Sequence, residues 1–324
     1  MGATFVMSYP SSDWHIAAGA NRRSATARAS ATPVNPRAAL LEWIALADAI
    51  LYAGGRILVR DAVPGNPGSV YTADWGALIR RGDQPLFLAA KSGAAHRAGD
   101  AAIARKVFTE AGVAISELSV AWGGRGDLQL IGPGRYLYVA GARTKEGAGA
   151  ELAREIGGTV RFVEAKVKAP FEFGDEVAAV VRSKTGDGTL LAHQAGLADR
   201  TLADLRSAFS PVDVVSVDAS DAEAGACSAL CVNGTAIIPA GISTSLRGTL
   251  ARTGLQLVEL ELPQLFGLGG GGPRALVNEL VGFVIGDGAP DYARARERIV
   301  ALVDNYPERR NEPEARSTTG SAPT

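Results

Sequence analysis
Short runs of β-branched and aromatic residues alternate along this chain with helical segments rich in Ala, Leu and Arg, and several runs come in pairs before the next helix. That grouping constrains the fold more than any single residue does. Strands are expected at 55–59, 84–89, 128–131, 135–139, 159–162, 177–181, 189–192, 214–217, 229–232, 236–239 and 256–260, where such runs are bounded by turn-forming residues. Helices are expected at 37–53, 97–111, 147–156, 201–207, 243–253, 273–285 and 292–305, from apolar spacing of three and four. Gly132-Pro133-Gly134 and Gly186-Asp187-Gly188 each separate two runs and read as hairpin turns. Recurrent hairpin-then-helix units predict a repeated α/β architecture, whereas a doubly wound parallel sheet needs strict strand-helix alternation. No glycine fingerprint opens a helix after a strand and no P-loop occurs, so nucleotide binding is not expected.

The ends differ from the middle. Residues 1–36 are expected to hold one strand and an irregular segment, because 19–36 lack apolar periodicity. Residues 37–306 are expected to form a single domain, and the polar, proline-bearing tail 307–324 is expected to be disordered. With 47% hydrophobic residues, a net charge of −1 and a pI near 6.4, the chain has no electrostatic footprint for nucleic acid or an anionic membrane. No secretory leader and no long apolar run are evident, and only two cysteines occur, Cys227 and Cys231. The expectation is a cytoplasmic protein whose partners are small molecules or proteins, a homodimer being left open. His15, His96 and His193 are far apart in sequence, so neither a metal nor a cofactor is expected.

Six short motifs then follow one another. They are Pro67-Gly68-Ser69-Val70-Tyr71-Thr72-Ala73-Asp74-Trp75-Gly76, His96-Arg97-Ala98-Gly99-Asp100, Gly124-Arg125-Gly126-Asp127, Gly141-Ala142-Arg143-Thr144, Phe171-Glu172-Phe173-Gly174-Asp175, and the glycine run that ends Gly272-Pro273-Arg274-Ala275. Over 39–285 this ordered set resembles the guanidino-group-modifying superfamily of dimethylargininases, arginine and agmatine deiminases and amidinotransferases. The resemblance implies the pentein fold, five ββαβ-like units around a pseudo-fivefold axis. It also implies a chemistry in which a cysteine thiolate attacks a guanidinium carbon, a histidine moves protons and carboxylates grip the cation.

Position by position, the grip matches and the nucleophile does not. Asp74, Asp127 and Asp175 fall where the family has acids, and Arg97 and Arg143 where it has arginines that hold a substrate's carboxylate. Gly124 stands in place of a glutamate, Phe173 of the histidine and Ala275 of the cysteine. Asp127 and Asp74 are therefore expected as catalytic or orienting acids, with His193 as a substitute base. Arg97, Arg143, Asp175 and Phe173 are expected to bind substrate. Each has a plainer reading: the aspartates suit tight turns, the arginines suit a surface, and Arg274 suits solvent. Period-two alternation places residues 227, 229 and 231 on one strand face, so a relocated thiol stays open beside the commoner state of buried, inert cysteine. The sequence thus leaves three readings: an enzyme repurposed for non-cysteine chemistry on a small cationic or amino-acid-derived molecule, guanidines included, in specialised-metabolite biosynthesis; a catalytically silent binding or partner protein; and a deiminase or amidinotransferase with a displaced cysteine.

Overall fold
The computed structural model describes residues 3–17, 21–97, 99–132, 134–157, 160–186, 188–198, 201–208, 213–280 and 291–308. Five three-stranded sheets share one construction, an antiparallel strand pair followed by a helix and a third strand parallel to the second, and in four of them the pair is a hairpin. Strands Gly76–Arg81 and Gln84–Ala89 form such a hairpin, helix Asp100–Glu110 crosses over, and Ala114–Glu117 adds in parallel. The pattern recurs in Leu128–Gly132, Arg135–Ala140 and Arg161–Lys166, then in Ala178–Arg182, Gly188–Ala192 and Asp213–Ser216. It recurs again in Leu230–Val232, Thr235–Pro239 and Gln256–Leu260.

The remaining sheet joins the two ends of the chain. Thr4–Ser8 runs parallel to Arg56–Arg60 across helix Pro36–Tyr52, and its antiparallel partner is Asn278–Glu279, with Phe5 opposite Glu279. First hairpin strands of different units lie against one another, 278–279 on 76–81, 128–132 on 178–182, and 178–182 on 230–232. The units thereby turn about a common centre. This is the five-unit arrangement that the order of the motifs implied.

Local chemistry explains the elements. Helix Pro36–Tyr52 starts at Asn35, whose side chain accepts from the Ala38 N–H, and has Pro36 in its first turn, where a missing N–H costs nothing. Its Leu40, Trp43, Ala47 and Ile50 are buried on one face against Phe5, Ile57 and Tyr292. Fully burying a side chain such as Leu40 stabilises by about 2 kcal/mol.

Two expectations are corrected. Residues 22–29, read as loop, form a helix. It lacks an apolar stripe, and its arginines hold it instead: Arg22 stands over the Phe171 ring at 5.1 Å and Arg23 over Phe266 at 4.3 Å. The helix expected at 273–285 is absent over 273–280, which turn and then enter strand Asn278–Glu279. Buried Asn278 explains this, since its amide donates to the Thr72 and Gly76 carbonyls at 2.8 and 2.9 Å and pulls the segment into the centre. Residues 281–285 and the expected tail from 309 onward lie outside the described residues. No helix among the described residues is long and apolar enough to cross a membrane.

Candidate functional site
Each unit carries a short turn immediately before its first hairpin strand: Thr72–Trp75, Gly124–Asp127, Gly174–Val177, Ala226–Ser228, and the stretch 273–277. Because those strands meet at the centre, the turns meet as well. Asp74, Arg97, Arg143, Phe173, Asp175 and Ala275 line one narrow cleft with about 40 Å³ of free space. Residues more than two hundred positions apart are thus brought together by the repeat.

The cleft is an alternation of acids and guanidinium groups. Arg97 is buried and donates to the Gly68 carbonyl at 2.8 Å, to Asp100 at 3.0 Å and to Asp74. Arg143 approaches Asp74 at 3.8 Å and stands over the Phe173 ring, 3.8 Å from its centroid. Asp175 is different, since its carboxyl accepts no hydrogen bond from the described residues although it is only 9% exposed. Burial pushes it up to about 7, with Arg274 opposing and Asp74 adding to the rise. The short helix Gly174–Val177 aims it there, braced by Glu176, which accepts from the Glu172 and Phe173 N–H groups at 2.8 and 3.1 Å.

Asp127, expected beside Asp74 as a catalytic or orienting acid, is not among the residues that line this cleft. Its two oxygens accept from the Thr144 hydroxyl at 2.5 Å and the Gly174 N–H at 2.7 Å, so it ties three motif segments together. Burial raises it to about 6. Gly124 is likewise more than a missing glutamate. It sits at φ +86°, and an added Cβ would lie 2.5 Å from the Ala73 carbonyl oxygen, so no side chain fits there.

The expected substitute base, His193, is elsewhere. It is buried against Phe171, its Nδ1 bonds the Val217 carbonyl at 3.0 Å, and it faces a separate pocket beside Lys168 and Asp218. The imidazoles that reach the cleft are His96 and His15. His96 is held down at about 4 by burial and by the charges of Arg97 and Arg143, so it is neutral at physiological pH. Its place directly before Arg97 in a motif was the available signal.

The glycine run serves close packing. A Cβ on Gly269 or Gly271 would collide with Tyr71, whose hydroxyl donates to the Leu265 carbonyl at 3.0 Å. Described residues of the N-terminal segment supply part of the cleft wall: Asn21 donates to the Gly269 carbonyl at 2.8 Å, and Trp14, His15 and Ser24 line the cleft. Nothing in the sequence before residue 36 signalled this. Arg274 is buried rather than solvent-facing.

Neither thiol is among the residues that line the cleft. Cys227 lies in the turn before strand Leu230–Val232, not on it, and burial pushes it up to about 12. Cys231 is on the strand and exchanges two 3.2 Å bonds with the Arg182 backbone. The shared inward strand face expected for 227 and 231 is therefore not formed. No cluster of metal-ligating side chains is found among the described residues.

The sequence matches no family model and no curated protein. Solved structures do match. The N-terminal domain of ArgZ, covalently bound to a reaction intermediate, overlays with a TM-score of 0.74 at 19% identity, over 86% of this chain and 98% of that one. The chain has the pentein fold. ArgZ is described as an arginine dihydrolase from the ornithine-ammonia cycle in cyanobacteria. The chain also overlays unliganded AgrE, with a TM-score of 0.74 at 18% identity over 89% of this chain and 40% of that one. A dimethylarginine dimethylaminohydrolase adduct with 4-chloro-2-hydroxymethylpyridine gives 0.63 at 17% identity, over 86% of this chain and all of that one. At such identity the likeness establishes the pentein architecture.

Proposed function
We propose that this pentein binds a small cationic or amino-acid-derived molecule, guanidines included, and acts on it without cysteine chemistry. The observation that carries the reading is Asp175: a buried carboxyl, free of hydrogen bonds from the described residues, directed into the cleft that Ala275 also lines. A carboxyl near 7 is half ionised at neutral pH and can both hold a cation and exchange its proton. Phe173 offers a face to a planar ligand, and Arg143 with neutral His96 offers donors to its anionic end. ArgZ and dimethylarginine dimethylaminohydrolase, by their descriptions, act on arginine-type molecules, which supports the choice of ligand class. The setting we propose is specialised-metabolite biosynthesis in a reducing cytoplasm, in keeping with two free thiols.

A second reading, a silent binding protein, is favoured by one observation. Asp74 and Asp100 are both already paired with Arg97. Calorimetry with arginine, agmatine and ornithine, followed by mass analysis of each incubation, separates the two. Binding with turnover supports the enzyme, binding without turnover supports the silent protein, and no binding by the wild type to any guanidine or amine removes both.

A further inference from the structure
The centre of the molecule has a second mouth. The cleft is lined from the turns that precede the inner strands, whereas a separate cavity of about 310 Å³ is lined by those strands and their far ends, Arg182 and Glu279 among them, with Arg125 and Arg274 reaching it from two of the turns. Its rim reaches the exposed turn residues Gly186 and Asn233, so solvent has access. Three guanidinium groups face it, those of Arg125, Arg182 and Arg274, against the single carboxylate of Glu279. That carboxylate is already paired with Arg125.

Donors are left over. Arg274 is 8% exposed, and its Nε and Nη1 have no hydrogen-bond partner, nor has the buried Nε of Arg125. Arg274 Nη2 reaches only the Gly126 carbonyl, at 3.5 Å, and Arg182 spends one nitrogen on the Leu130 carbonyl at 2.8 Å. A buried guanidinium with unmade N–H bonds is costly unless an acceptor arrives, and Asp175, which attracts Arg274, lines the other mouth. Bidentate oxyanions fit this fork geometry best.

We infer that this rear cavity is a binding site for a small metabolite oxyanion, carrying phosphate or carboxylate oxygens, held by Arg125, Arg182 and Arg274. The inference does not depend on the proposed function, because none of its three arginines lines the front cleft. Isothermal titration of the full chain at constant ionic strength with inorganic phosphate and with citrate tests it. Saturable one-site binding of either is expected, and the tighter of the two identifies the source of the oxygens. Arg182→Gln and Arg274→Gln each weaken it about tenfold or more, while Phe173→Leu in the front cleft leaves it unchanged. Should Arg274→Gln fail to fold, Arg182→Gln decides, since its side chain is half-buried and makes one backbone bond. The inference is overturned if neither anion binds, or if Arg182→Gln binds as the wild type does.

Discussion

Arg143 stands over the ring of Phe173, with its guanidinium carbon 3.8 Å from the ring centroid. At a position where the resemblance led to an imidazole, an aromatic face instead fixes the cation that would meet a ligand's anionic end. A contact of this kind, only partly desolvated, contributes about 1 kcal/mol. Phe173→Leu should therefore weaken binding of arginine or ornithine about fivefold while leaving the fold intact. Calorimetry at pH 8 reads the difference; an unchanged Kd would mean that Phe173 holds nothing of consequence.

Ligand binding should follow the ionisation of Asp175. Its carboxyl is held up to about 7, so a cation meets a neutral acid at pH 5.5 and an anion at pH 8. Affinity for agmatine should rise by roughly tenfold or more across that interval. Asp175→Asn should flatten the profile at its acid-side value. His96, already neutral throughout that range, should not contribute, and His96→Gln should leave the midpoint where it is. A flat wild-type profile would contradict this assignment.

Thiol chemistry should be silent in the native protein. Cys227 is a buried thiol at about 12, so iodoacetamide at pH 7.5 should leave it unlabelled until the chain is unfolded. Incubation with arginine or dimethylarginine should release no citrulline, ammonia or dimethylamine, and Cys227→Ala should change nothing. Ala275→Cys should introduce a cleft thiol that alkylates faster than either native one. It should still not hydrolyse guanidines, since Phe173 supplies no proton carrier. Citrulline production by the wild type would overturn the assignment of the chemistry.

Stability should carry the signature of Glu42. This buried carboxylate accepts from the Gln264 and Leu265 N–H groups at 2.7 and 2.8 Å, anchoring the turn that leads into the glycine run. Burial raises it from 4.5 to about 7, against the pull of those two donors. The folded chain thus holds this proton more tightly than the unfolded one. Its contribution to stability is full below about pH 4.5 and is lost as pH rises through about 7, by at most about 3 kcal/mol. Asp127 and Asp175 add slopes of the same sign. Glu42→Gln should shrink the loss of Tm between pH 5 and pH 8; an undiminished loss would rule out this group as its source.

The paired runs and their turn residues sufficed to read a repeated hairpin-and-helix texture, because hairpins and the helices that follow them are local in sequence; the count of five units came from the resemblance. Strand Thr235–Pro239 and helix Thr244–Arg252 lie within a residue of their expected bounds for that reason. Local pattern failed where an element is held by something distant. Helix Arg22–Ala29 rests on aromatic faces contributed by Phe171 and Phe266, and the segment after Pro273 is pulled into a strand by the bonds of Asn278 to Thr72 and Gly76.

The site divides in the same way. That acids, arginines and an alanine fall in an ordered set of motifs is a property of the amino-acid order, and so is the absence of a thiol at 275. Which of those acids faces a ligand is not. Asp127 and Asp175 both sit beside a glycine in a turn, yet one is saturated by Thr144 and Gly174 while the other keeps its oxygens for the cleft. Only the packing of five units about one centre decides that, because a carboxyl's role depends on which donors arrive from other parts of the chain and on how much water they displace.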